Sequence, residues 1–196
     1  MAEASFTCAD SYDVPTNTPL NGGEVVSFRV AAGGTYYIFV DGFKAGNEGN
    51  FELVLDLSSG TSCSDAIPIP VWPGPVMKFL GSTSGGAATQ QGSCGGQPGN
   101  DVVYQLIPQE DGMIALDLDA ASTNYNSALY ARSTCAMAST EIACANVPAS
   151  LAPMAVGTGE HLDLTTQNQT PVFVFVDGSQ NGGGNPNGNF GLKLTP

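Results

Sequence analysis

The stretch GNFGLKLTP at 188–196 alternates without a break. Phe190, Leu192 and Leu194 fall on one face, and Gly191, Lys193 and Thr195 on the other. GNFELVLDL at 49–57 repeats the pattern with Phe51, Leu53, Leu55 and Leu57 inward. Both read as strands with one wet face. TYYIFVDG at 35–42 and PVFVFVDG at 171–178 are apolar on both faces, as central strands are. The loops after them, GFKAGNEGN and GSQNGGGNPNGN, carry the glycine and asparagine that turns require. Further strands are expected at 76–84, 102–107, 112–119, 127–134, 140–146 and 160–166, and no segment shows a helical stripe. The fold class is all-β, an antiparallel, jelly-roll-like β-sandwich.

The two similar phrases belong to an internal repeat. Displaced by 136 positions, Cys8 falls on Cys144, Asp10 on Asn146, Glu24 on Glu160, Phe28 on Leu164 and Asp41 on Asp177. After a three-residue insertion, the GNF at 49–51 falls on the GNF at 188–190. Two domains are expected: residues 59–196 as one complete unit of about eight strands, and residues 1–58 as a partial repeat whose part from residue 6 on matches the four-stranded back half of that unit. The chain therefore carries two back halves and one front half. Leaving Phe28, Tyr37, Phe39, Phe51 and their apolar neighbours in water would forfeit roughly 1.5–3 kcal/mol each. The partial repeat is thus expected to bury a Phe28/Tyr37/Phe39/Phe51 interface against its own complete repeat, a neighbouring copy, or a preceding front half. Cys8 favours the last, because Cys144 has Cys135 close before it and Cys8 has no such neighbour.

Composition narrows the setting. Hydrophobic residues make up 42% of the 196, too many for a disordered chain, and no apolar run approaches a membrane span. With five Lys and Arg and a net charge of −13, no basic patch exists to neutralise phosphates, which counts against nucleic acid and anionic membranes as partners. Five cysteines and 25 glycines beside one histidine and one tryptophan indicate an oxidising, extracellular or cell-surface location. The start MAEASFTCAD has neither a basic nor an apolar leader region, so any signal peptide is expected to have been removed. Fifteen ways exist to bridge four of five cysteines; spacing points to Cys63–Cys94 and Cys135–Cys144, with Cys8 unpaired or intermolecular.

The runs GNDVVYQLIPQEDGMIALDLD, SALYARSTC, TEIACAN, VFVFVDG and GNFGLKL resemble the β-sandwich repeats of secreted bacterial surface proteins, similar to the bacterial pre-peptidase C-terminal domain. The resemblance covers 59–196 fully and 6–58 as a back half. It implies a non-catalytic appendage of a secreted enzyme or a module of a surface array, some relatives of which bind calcium or extracellular polymers.

Candidate chemistry is sparse. His161, in GEHLDL, has no nucleophile motif near it, so no enzyme activity is expected. Asp117 and Asp119 share a strand face and could present paired carboxylates to a sugar or cation, or simply form a solvated face. Asp101, Asp177 and Asp41 stand where strands meet Asn/Gly loops. They are the candidate calcium ligands, against turn capping, and no other cofactor is expected. Trp72, between prolines, is either a stacking platform or a plug over the sandwich end. The function expected is non-catalytic: a structural or adhesive surface protein, able to serve as a self-assembling filament subunit, partnered by itself or copies of its repeat. The alternative is a calcium-dependent or carbohydrate/polymer-binding module of a secreted hydrolase.

Overall fold

The structure is a computed structural model. It describes residues 58–74, 76–96, 99–147, 159–179 and 186–196, and within the first 57 residues 26, 30, 34–42, 46 and 49–55. Nine strands follow one another: β1 (Ile67–Val71), β2 (Met77–Ser82), β3 (Val102–Pro108), β4 (Gly112–Leu118), β5 (Ser127–Arg132), β6 (Glu141–Ala145), β7 (His161–Thr166), β8 (Val172–Gly178) and β9 (Asn189–Thr195). They form a five-stranded sheet in the order β1-β3-β8-β5-β6 and a four-stranded sheet in the order β2-β9-β4-β7. All pairings are antiparallel except β1 with β3. The result is a β-sandwich, and among the described residues no helix is long and apolar enough to cross a membrane.

Alternation decides which side chains meet. From the five-stranded sheet, Tyr104, Leu106, Leu129, Val174 and Val176 point inward; Phe79, Ile114, Leu116, Leu164, Phe190, Leu192 and Leu194 face them from the other sheet. Tyr104 packs edge-on against Phe190 at 6.4 Å. This layer is one continuous dry core.

β1 was not among the expected strands. Its sequence IPIPV carries Pro68 and Pro70, which cannot donate to a ladder. A sheet edge removes the objection, since only one side of an edge strand has a partner. Its parallel register, Ile67 beside Tyr104 and Ile69 beside Leu106, buries the isoleucines.

Disulfide connectivity differs from the spacing argument. Cys63 bridges Cys135, and Cys94 bridges Cys144, in place of Cys63–Cys94 and Cys135–Cys144. In the β5–β6 ladder the residue opposite Cys144 is Tyr130, so Cys135, three residues past the end of β5, is out of register with it. Both bridges instead tie a distant segment to the outer face of the five-stranded sheet. There Cys63, Cys135 and Cys144 pack with Val103, Tyr130, Phe173 and Phe175 in a second apolar cluster.

The partial repeat does not form its expected strands where it is described. Residues 34–42 and 49–55 are in neither sheet. Tyr37, Phe39 and Phe51, expected in an interface, are 74%, 84% and 68% exposed, whereas Phe175 and Phe190, their counterparts of Phe39 and Phe51, are buried. The physical reason lies in strand order: the back-half strands β6 to β9 are hydrogen-bonded only to front-half strands, and never to each other. The places between β3 and β5 and between β2 and β4 are already taken by β8 and β9. Phe28 and Cys8 lie outside the described residues.

The bridges close loops of 72 and 50 residues in sequence separation. Denatured, unreduced protein is expected to titrate one thiol, with peptide mapping returning 63–135 and 94–144. Removing either bridge by paired Cys→Ser substitution should lower stability by about 4 kcal/mol, measured by denaturant unfolding.

Candidate functional site

Three places on the complete repeat gather polar or aromatic chemistry. The first lies on the outer face of the five-stranded sheet, under the connection from β2 to β3. Asp101, Tyr130, Arg132 and Asp177 project to that side, and the connection is drawn over them by the Cys94–Cys144 bridge. Asp101 and Asp177 are fully buried beside each other on this face.

Donors from the connection hold the pair. Asp101 Oδ2 accepts from the backbone N–H of Thr89 (2.9 Å) and Gln90 (2.7 Å) and from the Thr89 hydroxyl (3.1 Å). Asp177 Oδ1 accepts from the N–H of Gly178 (2.6 Å), and Oδ2 from the Tyr130 hydroxyl (3.2 Å). Gly96, at φ +107°, lets the backbone pass so close to Asp177 Oδ2 that a side chain there would collide with it. Burial and then the charge of Asp101 push the Asp177 carboxyl up to about 9, and burial also raises Asp101. At neutral pH Asp177 therefore keeps its proton.

Arg132 is the compensating cation. It is 1% exposed, and donates through Nη1 to Gln90 Oε1 (2.7 Å) and the Cys135 carbonyl (3.0 Å), and through Nη2 to the Gln91 carbonyl (2.6 Å). Its guanidinium lies 4.8 Å from the Phe175 ring and 5.2 Å from that of Tyr130, two rings stacked 4.7 Å apart. The guanidinium and the acid pair thus occupy one sealed layer, linked through Tyr130 and through Gln90. This is structural chemistry: no oxygen of the pair is open to a substrate.

The arrangement also bears on calcium, which takes six to eight oxygens. Of the pair's four carboxylate oxygens only Asp101 Oδ1 lacks an N–H or O–H donor. Among the described residues no group of three or more His, Cys, Asp or Glu could hold a metal. Asp41 is exposed, and its Oδ1 accepts the N–H of Gly42 (2.8 Å). The donor set at Asp101 and Asp177 does not fit calcium.

The second place is the outer face of the four-stranded sheet. Cross-strand register sets Asp117 opposite His161 on one side and Lys193 on the other. His161 Nδ1 lies 2.6 Å from Asp117 Oδ1 and Nε2 lies 3.3 Å from Asp163 Oδ2, while Lys193 Nζ is 3.5 Å from Asp117 Oδ2. Hydrogen bonding to Asp117, then to Asp163, raises the imidazole above its ordinary value. Asp119 does not join Asp117 in a paired-carboxylate site. It caps the turn that follows β4, accepting from the Ala121 N–H (3.0 Å) and the Ser122 hydroxyl (3.2 Å).

The third place is one end of the sandwich. Trp72, half-buried, lines a cleft of about 230 Å³ with Pro108, Glu110, Asp111, Met113 and Pro196. An aromatic ring, an exposed methionine and two carboxylates share its wall.

Sequence reasoning missed Arg132, Tyr130 and the buried Glu160, which accepts from the Ser127 hydroxyl (2.5 Å). The available signal was a charged residue two places after a tyrosine, on the same face of an otherwise apolar strand, SALYAR.

No protein-family model matches the sequence, and no curated protein matches it. Among solved structures, the fold is similar to the pre-peptidase C-terminal domain of a collagenase from Bacillus anthracis (11% identity, TM-score 0.40, 66% of this chain and 94% of that one). It is also similar to PliG, a periplasmic inhibitor of g-type lysozyme from Aeromonas hydrophila (9%, 0.37, 66% and 96%), and to the CBM35 module of Abf62 from Cellvibrio japonicus (13%, 0.32, 61% and 94%). None of the three is similar enough to assign this chain an activity or a ligand.

The pH dependence follows from the buried acids. Asp177 is raised in the folded state, as are Asp101 and Glu160, so the folded protein holds more protons at neutral pH than the unfolded one. Stability should therefore fall as pH rises from about 4 towards about 9. The slope should approach about 1.4 kcal/mol per pH unit for each such proton. His161, also raised, adds in the same sense near neutrality. Asp177→Asn, whose amide can donate to Asp101 without titrating, should flatten the slope above pH 7 in melting curves. An unchanged slope would remove the Asp177 proton from the account.

Proposed function

We propose that this chain is a non-catalytic, extracellular β-sandwich module that serves surface structure or adhesion. The observation that carries the reading is the use made of the buried chemistry. The acid pair, Arg132 and the Cys94–Cys144 bridge fasten one long connection over the outer face of the five-stranded sheet, and Cys63–Cys135 ties the segment before β1 to the turn after β5. Titratable groups spent this way stabilise a domain that keeps its shape in an oxidising, unprotected setting. Fractionation of the source cells is the test. Recovery from the surface or culture fluid, with both bridges formed, is expected; recovery from the cytosol with reduced cysteines would overturn the reading.

A second reading, polymer binding, is favoured by the cleft at Trp72. A half-buried indole suits stacking on a sugar ring, and Glu110 and Asp111 beside it suit hydroxyl groups and repel anionic polymers. Affinity electrophoresis through neutral polysaccharides should retard the protein, and Trp72→Ala should abolish the retardation while leaving the melting temperature within a few degrees. Retardation that survives in Trp72→Ala places binding elsewhere. Melting curves in chelator and in millimolar calcium are expected to coincide, because the Asp101–Asp177 pair has one unfilled oxygen to give.

A further inference from the structure

We propose that residues 6–58 are a docking element for a β-sandwich front half of the kind residues 59–136 provide, and that they fold on meeting one. Three independent features of the complete repeat lead to this. The first is strand order. Residues 36–42 align with β8 and 50–56 with β9; β8 lies between β3 and β5, and β9 between β2 and β4. Every hydrogen-bond partner of these strands therefore belongs to a front half.

The second is burial. Ile38, Phe39 and Val40 align with Val174, Phe175 and Val176, and Phe51, Leu53 and Leu55 with Phe190, Leu192 and Leu194. All six members of the complete unit are at most 1% exposed, while those of the partial repeat are 46% to 84% exposed. The third is specific chemistry. Cys144, the counterpart of Cys8, is bridged to the front-half Cys94; Asp177, the counterpart of Asp41, accepts from the hydroxyl of the front-half Tyr130 (3.2 Å). The other four cysteines are paired with each other, so none of them is left for Cys8.

A second copy of this chain is not the occupant. The front half at 59–136 already holds β6 to β9, so a second copy could seat residues 6–58 only by displacing its own strands. The occupant is a front half not already filled by its own β6 to β9.

The test supplies it covalently, at high effective concentration. A second copy of residues 59–136 is placed ahead of residue 1 of the full chain, the junction that the 136-residue displacement dictates. The free thiol count is expected to fall from one to none, with Cys8 mapped to the added copy of Cys94. Amide exchange across 34–42 and 49–55 should slow about 100-fold or more. The same fusion with core-facing Leu106→Asp and Leu129→Asp in the added copy only should lose that protection. A persisting thiol with unprotected 34–55 overturns the proposal, as does protection that survives the double substitution. Protection of 34–55 in the parent chain that rises with concentration, alongside a dimer by sizing, would make a second copy the occupant and also overturn it. These readouts concern folding, so they stand or fall apart from where the protein works.

Discussion

The structure depends on the interleaving of its two halves. Six of the seven strand pairings in the described residues join a front-half strand to a back-half strand, and only β1 with β3 stays within one half. Neither half can satisfy its backbone donors and acceptors alone, and an unpaired buried peptide group costs as much as a lost hydrogen bond. Cooperativity follows. The core of Leu116, Leu129, Leu164, Val174 and Leu192 exists only when strands far apart in sequence alternate across both sheets. The same rule that makes 59–196 a closed unit leaves the described parts of the partial repeat exposed.

A second layer sits on the first. The outer face of the five-stranded sheet would ordinarily be wet, yet β5 is buried along its whole length. The connection from β2 to β3 covers it, with Gln90 and Gln91 on Arg132, Ser93 on Glu141, and Cys94 bridged to Cys144. Such a cover buries backbone and side-chain polar groups, and each must be satisfied or neutralised. The proton kept by Asp177, the donors on Asp101 and the stacking of Arg132 on Phe175 and Tyr130 serve that need. Charges are balanced within the layer, so the cover can remain dry.

This leaves the exposed chemistry to two places, the His161–Asp117–Lys193 row and the Trp72 cleft. The row is a cross-strand ion network on a solvated face, where each pair contributes little. The cleft is concave and carries an aromatic ring, which makes it the better place for a ligand.

Strands with one wet face were legible from alternation alone: β4, β7 and β9 carry their leucines at every second position, and period-two burial is a local property of the backbone. The back-half repeat and the supply of four bridgeable cysteines could likewise be read from the chain. β1 could not, because two prolines are acceptable only at an edge, and edges are defined by neighbours. Disulfide partners, the burial of Arg132, and the meeting of Asp101 with Asp177 across 76 positions were equally out of reach. Each depends on which strands become neighbours and what crosses over them. The sequence by itself determined the periods, the repeat and the residues in stock; strand order and the covering connection, set by long-range pairing and by the need to satisfy buried polar groups, decided which of those residues meet.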